Sequence, residues 1–227
     1  MPLRHPSRTA VPTRLHGRRI VMRPLAAGDF RAWSEVRAHN EQWLTVWEPR
    51  RNPNLPDPTV ERSAFSARCA QRDRDRTVGI AYQFGLFIGD QVAGEVNLNN
   101  VIRGAMQSGT IGYWIDQRHA GNGYVAEGVL ALIRYAFETL GLHRIEICIV
   151  PRNTNSRRVM EKLAIRDEGL AQRYLEINGE WEDHIRYGIT VEEWHTRGDV
   201  LINPGVGLNR TSTGLFVVSG RRTRGVD

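Results

Sequence analysis

Lysine is nearly absent from this chain: Lys162 is the one example, although the formal net charge is +6 and the isoelectric point lies near 9.9. Arginine carries the basic charge, clustered at residues 14–23, 50–51, 72–76 and 221–224. No interleaving of aromatic and basic residues, as found on RNA-binding sheets, accompanies these clusters, so solvated surface is the preferred reading over specific nucleic-acid binding. Cysteine is scarce too. Cys69 and Cys148 do not make a disulfide framework, and Cys148 sits in an apolar run where a buried thiol is the plain expectation. The seven histidines are scattered without ligand spacing, so no metal is expected. No run of 18 apolar residues occurs and the N-terminus has no apolar signal core. Neither a membrane segment nor secretion is expected, and a cytoplasmic protein is the reading. There is no internal repeat.

The 227 residues, 41% of them hydrophobic, are enough for one domain with a sizeable core. Residues 1–16, basic and interrupted by proline, read as a mobile arm; 17–196 as the folded domain; 197–227 as a tail, disordered or loosely packed. Within the domain, 19–24 alternate like a strand, and 27–40 place Phe30, Trp33 and Val36 on one helical face. Residues 48–58 hold too much Pro and Asn for a regular element, and 60–73 suit a second helix. Segments 80–88 and 91–97 flank Gly89-Asp90 as a hairpin, and 109–115 make another strand. A long helix over 123–140 ends at a Gly141 cap. A buried strand follows at 144–150, then a helix capped by Asn155 or Ser156 and running to Leu163, and a last strand at 183–190.

The most informative stretch joins the strand ending at Ile115 to the long helix through Arg118-His-Ala-Gly-Asn-Gly123. Such a turn leaves backbone N–H groups pointing into one hollow, where the helix dipole favours an anion. Gly121 and Gly123 offer the missing Cβ that close phosphate approach requires. A glycine-rich turn by itself is also an ordinary tight connection. The nucleotide-triphosphate loop needs Lys then Ser or Thr after its last glycine, and Tyr124 and Val125 follow here. The dinucleotide fingerprint is only loosely met. A coenzyme A pyrophosphate fits better than either.

The run GYWIDQRHAGNGYVAEGVLALIRYAFETLGLHRIEICIVPRNTNSRRVMEKL, residues 112–163, resembles the acetyl-CoA-binding core of the GNAT N-acetyltransferases, and within them the RimJ/RimL branch that acetylates ribosomal-protein N-termini. HGRRIVMRPLAAGDF, GEVNLNN and YLEINGEWEDHI extend the resemblance over residues 15–195. It implies an α/β (α+β) GNAT fold: a central, mostly antiparallel mixed sheet with a V-shaped splay, flanked by helices. It also implies acetyl-CoA as cosubstrate, with no metal. The coenzyme would be held by Trp114, Ile115, Arg118, His119, Ala120, Gly121, Asn122, Gly123, Tyr124 and Val125, with Asn153 and Arg158 across the splay. Arg157 is an alternative to Arg158 for the phosphates.

Attack by an amine on a thioester needs a neutral amine, a polarised carbonyl and a proton for the departing thiolate. By resemblance, Ser156 contacts the coenzyme sulfur and relays that proton; it is equally suited to capping a helix. Some GNAT enzymes carry a base Glu and an acid Tyr at positions that hold Cys148 and Met160 here. That departure disfavours a lysine acceptor, whose deprotonation near pH 7.5 costs about 4 kcal/mol, and suits an α-amine of pKa about 7.7–8.0. Glu95 is the first candidate base, on the strand before the core, and Glu176 the second, one residue away from the acidic position of RimL-type enzymes. Asp116 serves either an incoming ammonium or the cap of the turn.

The resulting expectation is transfer of acetyl to an N-terminal α-amine, with a ribosomal protein as the acceptor the resemblance implies, by a monomer or homodimer with ribosome association and no membrane partner. Two alternatives stand beside it. One is acetylation of a small amine such as an antibiotic, polyamine or toxin; the other is a non-catalytic acetyl-CoA-binding or ribosome-associated protein.

Overall fold

The structure, a computed structural model, describes residues 14–202 and the two short paired strands Leu208–Arg210 and Phe216–Val218. The described residues open with strands β1 (Leu15–His16) and β2 (Val21–Arg23), paired so that Leu15 lies opposite Met22. Leu15 is thereby buried in the main core, although the expected arm included residues 15 and 16. At the other end helix α6 (Val191–Ile202) runs past residue 197, where a loose tail was expected. Its Trp194 is buried and its indole N–H donates to Glu138, which anchors the helix. Of the rest of the expected arm and tail, residues 1–13, 203–207, 211–215 and 219–227 lie outside the described residues, and Leu208–Arg210 pairs antiparallel with Phe216–Val218.

A short 3-10 turn leads into helix α1 (Phe30–His39), which buries Trp33 and Val36, and a one-turn helix α2 (Glu41–Thr45) follows. Helix α3 (Arg62–Val78) runs a turn beyond the expected end and stops at Gly79, whose φ of 82° permits the left-handed cap. The expected hairpin forms from β3 (Tyr82–Ile88) and β4 (Gln91–Ile102), with Ile88 opposite Gln91. Strand β5 (Ser108–Ile115) leads to helix α4 (Tyr124–Arg134), which passes into a π-helical turn at Tyr135–Thr139. Strand β6 (Arg144–Ile149), helix α5 (Thr154–Lys162), β7 (Arg166–Ile177) and β8 (Glu180–Thr190) complete the sheet.

Strand β7 was not expected. Its sequence lacks apolar alternation because nearly all of it is exposed at the sheet edge, and pairing to β8, with two irregularities in register, is what makes it a strand. The cap of α5 also differs from expectation. The Asn153 side chain accepts from the Ser156 N–H at 3.1 Å, so Asn153 is the cap and Ser156 lies inside the first turn.

The sheet order is β1-β2-β3-β4-β5-β6-β8-β7. Every neighbouring pair is antiparallel except β5 and β6, which are parallel and joined only at Ser108 with Arg144, Gly109 with Ile145 and Thr110 with Glu146. Beyond that short contact β5 pairs only with β4 and β6 only with β8, so the two strands part into a V with facing hydrogen-bonding edges. Helix α4 packs across one face, burying Val125, Ala126, Val129, Leu132 and Ile133. It comes close because Gly128 has no Cβ: one added there would meet Val96 at 2.9 Å. On the other face α1 and α3 cover β3 and β4 through Trp33, Phe65, Phe87 and Val92.

Candidate active site

The turn after β5 is built by two buried polar side chains. Asp116 accepts from the Arg118 N–H at 3.0 Å and from its guanidinium, and Asn40, at the end of α1, accepts from the Gln117 N–H at 2.8 Å. Burial by itself raises the Asp116 carboxyl; the hydrogen bonds from Arg118 and Asn40 outweigh it and hold the group at about 2. Asp116 is therefore a turn-former already satisfied by Arg118, not a receiver for an ammonium. Gly121 and Gly123 both have left-handed φ, 79° and 82°, and the first turn of α4 starts directly after them. Arg19 braces the turn from β2's approach: it donates to Glu127 at 2.6 Å and to the Asn122 carbonyl at 3.0 Å, and lies over the Tyr124 ring.

This turn is one end of a cavity of about 560 Å³. His119, Ala120, Gly121, Gly123, Tyr124 and Val125 line that end. Trp114 and Ile115 on β5 form one wall of its middle, with Asn153, Ser156 and Arg158 of α5 facing them. Two expected coenzyme contacts are not on the wall: the Arg118 side chain is turned onto Asp116, and the Asn122 amide bonds back to the carbonyls of His119 and Ala120. Arg157 donates to the Pro151 carbonyl, leaving Arg158 as the arginine of α5 on the cavity.

Several further residues stand on the cavity that were not among the expected site residues. Lys162 reaches the turn from the end of α5, so that a Cβ on Gly123 would stand 2.7 Å from its Nζ. The lysine makes no ion pair among the described residues. Its rarity, and its place one helical turn after Arg158, was the available clue. Tyr113 donates its hydroxyl to the Ser156 carbonyl at 3.2 Å and so ties β5 to α5; burial pushes its phenol well above the ordinary value. The Ser156 hydroxyl itself enters no hydrogen bond among the described residues, and Ser156 lines the cavity. At the far end Trp43, Leu44, Trp47 and Glu48 close the wall.

The candidate bases fare differently from the expectation. Glu95 is fully buried and receives Arg68 at 2.8 Å, Arg72 at 2.7 Å and the Trp33 indole N–H at 2.6 Å. Burial alone would raise its carboxyl, but the Arg72 and Arg68 guanidiniums prevail and hold it at about 2. Glu95 faces α1 and α3 rather than the splay, and is corrected from candidate base to structural ion pair. Glu176 sits on the edge strand β7 opposite Trp181, half-buried and away from the cavity wall. Met160 is fully buried, and the Cys148 thiol, raised by burial, stands on the sheet face away from Ile147 and Ile149. Neither supplies acid or base chemistry.

The sequence profile described as "Acetyltransferase (GNAT) domain" matches residues 19–166. The chain is 34% identical over 190 residues to the "[Ribosomal protein uS5]-alanine N-acetyltransferase" of Escherichia coli, covering 82% of this chain and 96% of that one. It is 35% identical over 172 residues to the Bacillus subtilis protein named "Probable N-acetyltransferase YjcK", covering 75% and 93%. Among solved structures, Mycobacterium smegmatis RimJ in complex with CoA-disulfide superposes with a TM-score of 0.76 at 30% identity, over 85% of this chain and 93% of that one.

Proposed function

The chain belongs to the GNAT acetyltransferase family, and from that premise we propose that it moves acetyl from acetyl-CoA to the N-terminal α-amine of a protein, a ribosomal protein being the class of acceptor. The observation that carries the reading is the continuous cavity that begins at the Gly121–Gly123 turn, passes between the end of β5 and the start of α5, and ends among Trp43, Trp47 and Glu48. Donor and acceptor meet in it from opposite ends. The residues present fit the coenzyme: two left-handed glycines leave room for a pyrophosphate, Arg158 and Lys162 supply positive charge, and the parted strands offer backbone donors and acceptors to a pantetheine arm.

The protein's own groups then have distinct tasks. The first turn of α4 and Lys162 hold the phosphates. Trp114 and Ile115 present the free edge of β5, which orients the thioester and excludes water. As the amine nitrogen bonds to the carbonyl carbon and the carbon–sulfur bond breaks, the Ser156 hydroxyl donates to the departing sulfur. No buried, raised carboxylate is required on this route, because roughly a third of an α-amine of pKa near 7.8 is already neutral at pH 7.5. The lack of an acid–base pair at Cys148 and Met160 is consistent with that acceptor.

Incubation with acetyl-CoA and peptides bearing free N-termini, followed by mass spectrometry to locate the added acetyl, tests the reading. Acetylation at the α-amine is the expected result. Acetyl found only on lysine side chains or only on small amines would overturn the acceptor assignment.

A further inference from the structure

The cavity is electrically polar along its length. Its donor end carries Arg158 and Lys162, whereas Glu48, at the other end, is the one acidic residue on its wall. Glu48 is not a loose surface carboxylate. Arg37 donates to both of its oxygens, at 2.7 and 2.6 Å, and the Arg37 guanidinium lies 5.1 Å from the centre of the Trp114 ring and 5.9 Å from that of Trp33. The backbone around it is fixed as well: the Glu48 carbonyl accepts from the Asn178 N–H at 2.8 Å, and Arg152 stacks on Trp47 while donating to the Val46 carbonyl. The Glu48 side chain nevertheless keeps 34% of its surface exposed. A carboxylate has about four lone-pair sites, and Arg37 occupies two.

We propose that Glu48 is the receiving site for the acceptor's ammonium, with Arg37 as the positioning residue that aims its carboxylate towards the Trp114 side of the splay. An amine reaches the enzyme mostly protonated, and an anion at the acceptor end, facing cations at the donor end, collects it without competing for the coenzyme's phosphates. The flanking Trp43 and Trp47 rings bound the space beside it and favour the small or apolar first residue of a chain over a long charged one. Deprotonation then follows from this docked state to water. The inference rests on the acetyl-transfer reading of the cavity, but not on which amine is acetylated.

Steady-state rates on the full chain decide it, with acetyl-CoA and a peptide carrying a free N-terminal alanine. Glu48→Gln should raise the peptide KM at least about tenfold, the loss of one charge-assisted contact, and leave the acetyl-CoA KM within about twofold. Arg37→Met should raise the peptide KM as well, and Arg37→Lys should recover part of the loss; a merely structural arginine would lower stability without this split. A second measurement uses the unaltered protein and so does not depend on a variant folding. A peptide with an N,N-dimethylated terminal alanine, cationic but not acylated, should inhibit at least about tenfold more strongly than its α-hydroxy counterpart. Equal inhibition by the two, or an unchanged peptide KM in a folded Glu48→Gln, overturns the inference. Should mass spectrometry place the acetyl on another amine, the acceptor class falls while the same Glu48→Gln comparison is read on that amine.

Discussion

The two ends of the cavity are built in opposite ways. The end proposed for the donor is built around one stretch of chain, 116–125, whose shape comes mainly from local features, Asp116 to Arg118, two left-handed glycines and the start of α4, with Asn40 and Arg19 bracing it and Lys162 reaching it from α5. The acceptor end is assembled from distant parts, with Arg37 from α1, Glu48 from the loop after α2, Trp114 from β5 and Asn178 from the β7–β8 turn. Beneath it lies Glu95, drawing Arg68 and Arg72 of α3 and Trp33 of α1 onto the sheet. A local site tolerates change elsewhere and keeps its ligand; an assembled site can be retuned by altering any one contributor. One fold can thus keep its donor while its acceptor varies.

This contrast is open to direct attack. The largest effect is expected from Glu95→Ala, which strands two half-buried guanidiniums and the buried Trp33 indole N–H and should cost about 3 kcal/mol, read by chemical denaturation. It should also loosen Trp33 and raise the acceptor KM in whatever fraction stays folded, while coenzyme affinity holds. The same ion pair gives a pH signature. Its carboxyl is held at about 2 against an ordinary value of 4.5, so the folded state binds that proton less readily than the unfolded chain. The stability it contributes is present above pH 4.5 and is lost as pH falls towards 2; denaturation at pH 7 and pH 3 should show a loss that Glu95→Ala largely lacks. Next in size, Ser156→Ala should lower kcat by about a hundredfold with both KM values nearly unchanged, as removal of a proton donor requires. Gly123→Val should raise the acetyl-CoA KM by about tenfold or more, because its Cβ collides with Lys162 and its φ is unsuited to a β-branched residue. The smallest effect is Lys162→Met, with a severalfold rise in acetyl-CoA KM that added salt erases, as for an exposed ion contact of about 1 kcal/mol. Donor-end changes that moved the acceptor KM instead would break the comparison.

The same division explains what could be read in the sequence. Strands 80–88 and 91–97, the helix after Gly123 and the buried strand at 144–150 announce themselves through periodicity and turn residues, all short-range signals. The glycine turn is equally local. Glu95 shows the limit: alternation along β4 says that its side chain shares a face with its i±2 neighbours, but not that Arg68 and Arg72, 27 and 23 residues earlier, would arrive there to neutralise it. Glu48 looked like part of a Pro- and Asn-rich connection, since its partner Arg37 lies on a separate helix that also carries Arg31 and Glu35, with nothing local to single it out. Strand β7 was invisible because exposure at an edge removes the pattern by which strands are recognised.

The parting of β5 from β6 carries a consequence of another kind. A parallel pair that closes for three residues and then opens leaves a sheet with an interior seam unstitched. On the proposed reading a pantetheine lying there would serve as a temporary strand, and donor occupancy would become a component of the protein's own cohesion. With free acetyl-CoA at a hundred times its Kd, linkage adds about 2.7 kcal/mol to the folded state. The seam would thereby couple the endurance of the protein to the acetyl supply around it: a chain starved of donor should be a softer molecule, more open to heat and to proteases, than the same chain when acetyl-CoA is plentiful.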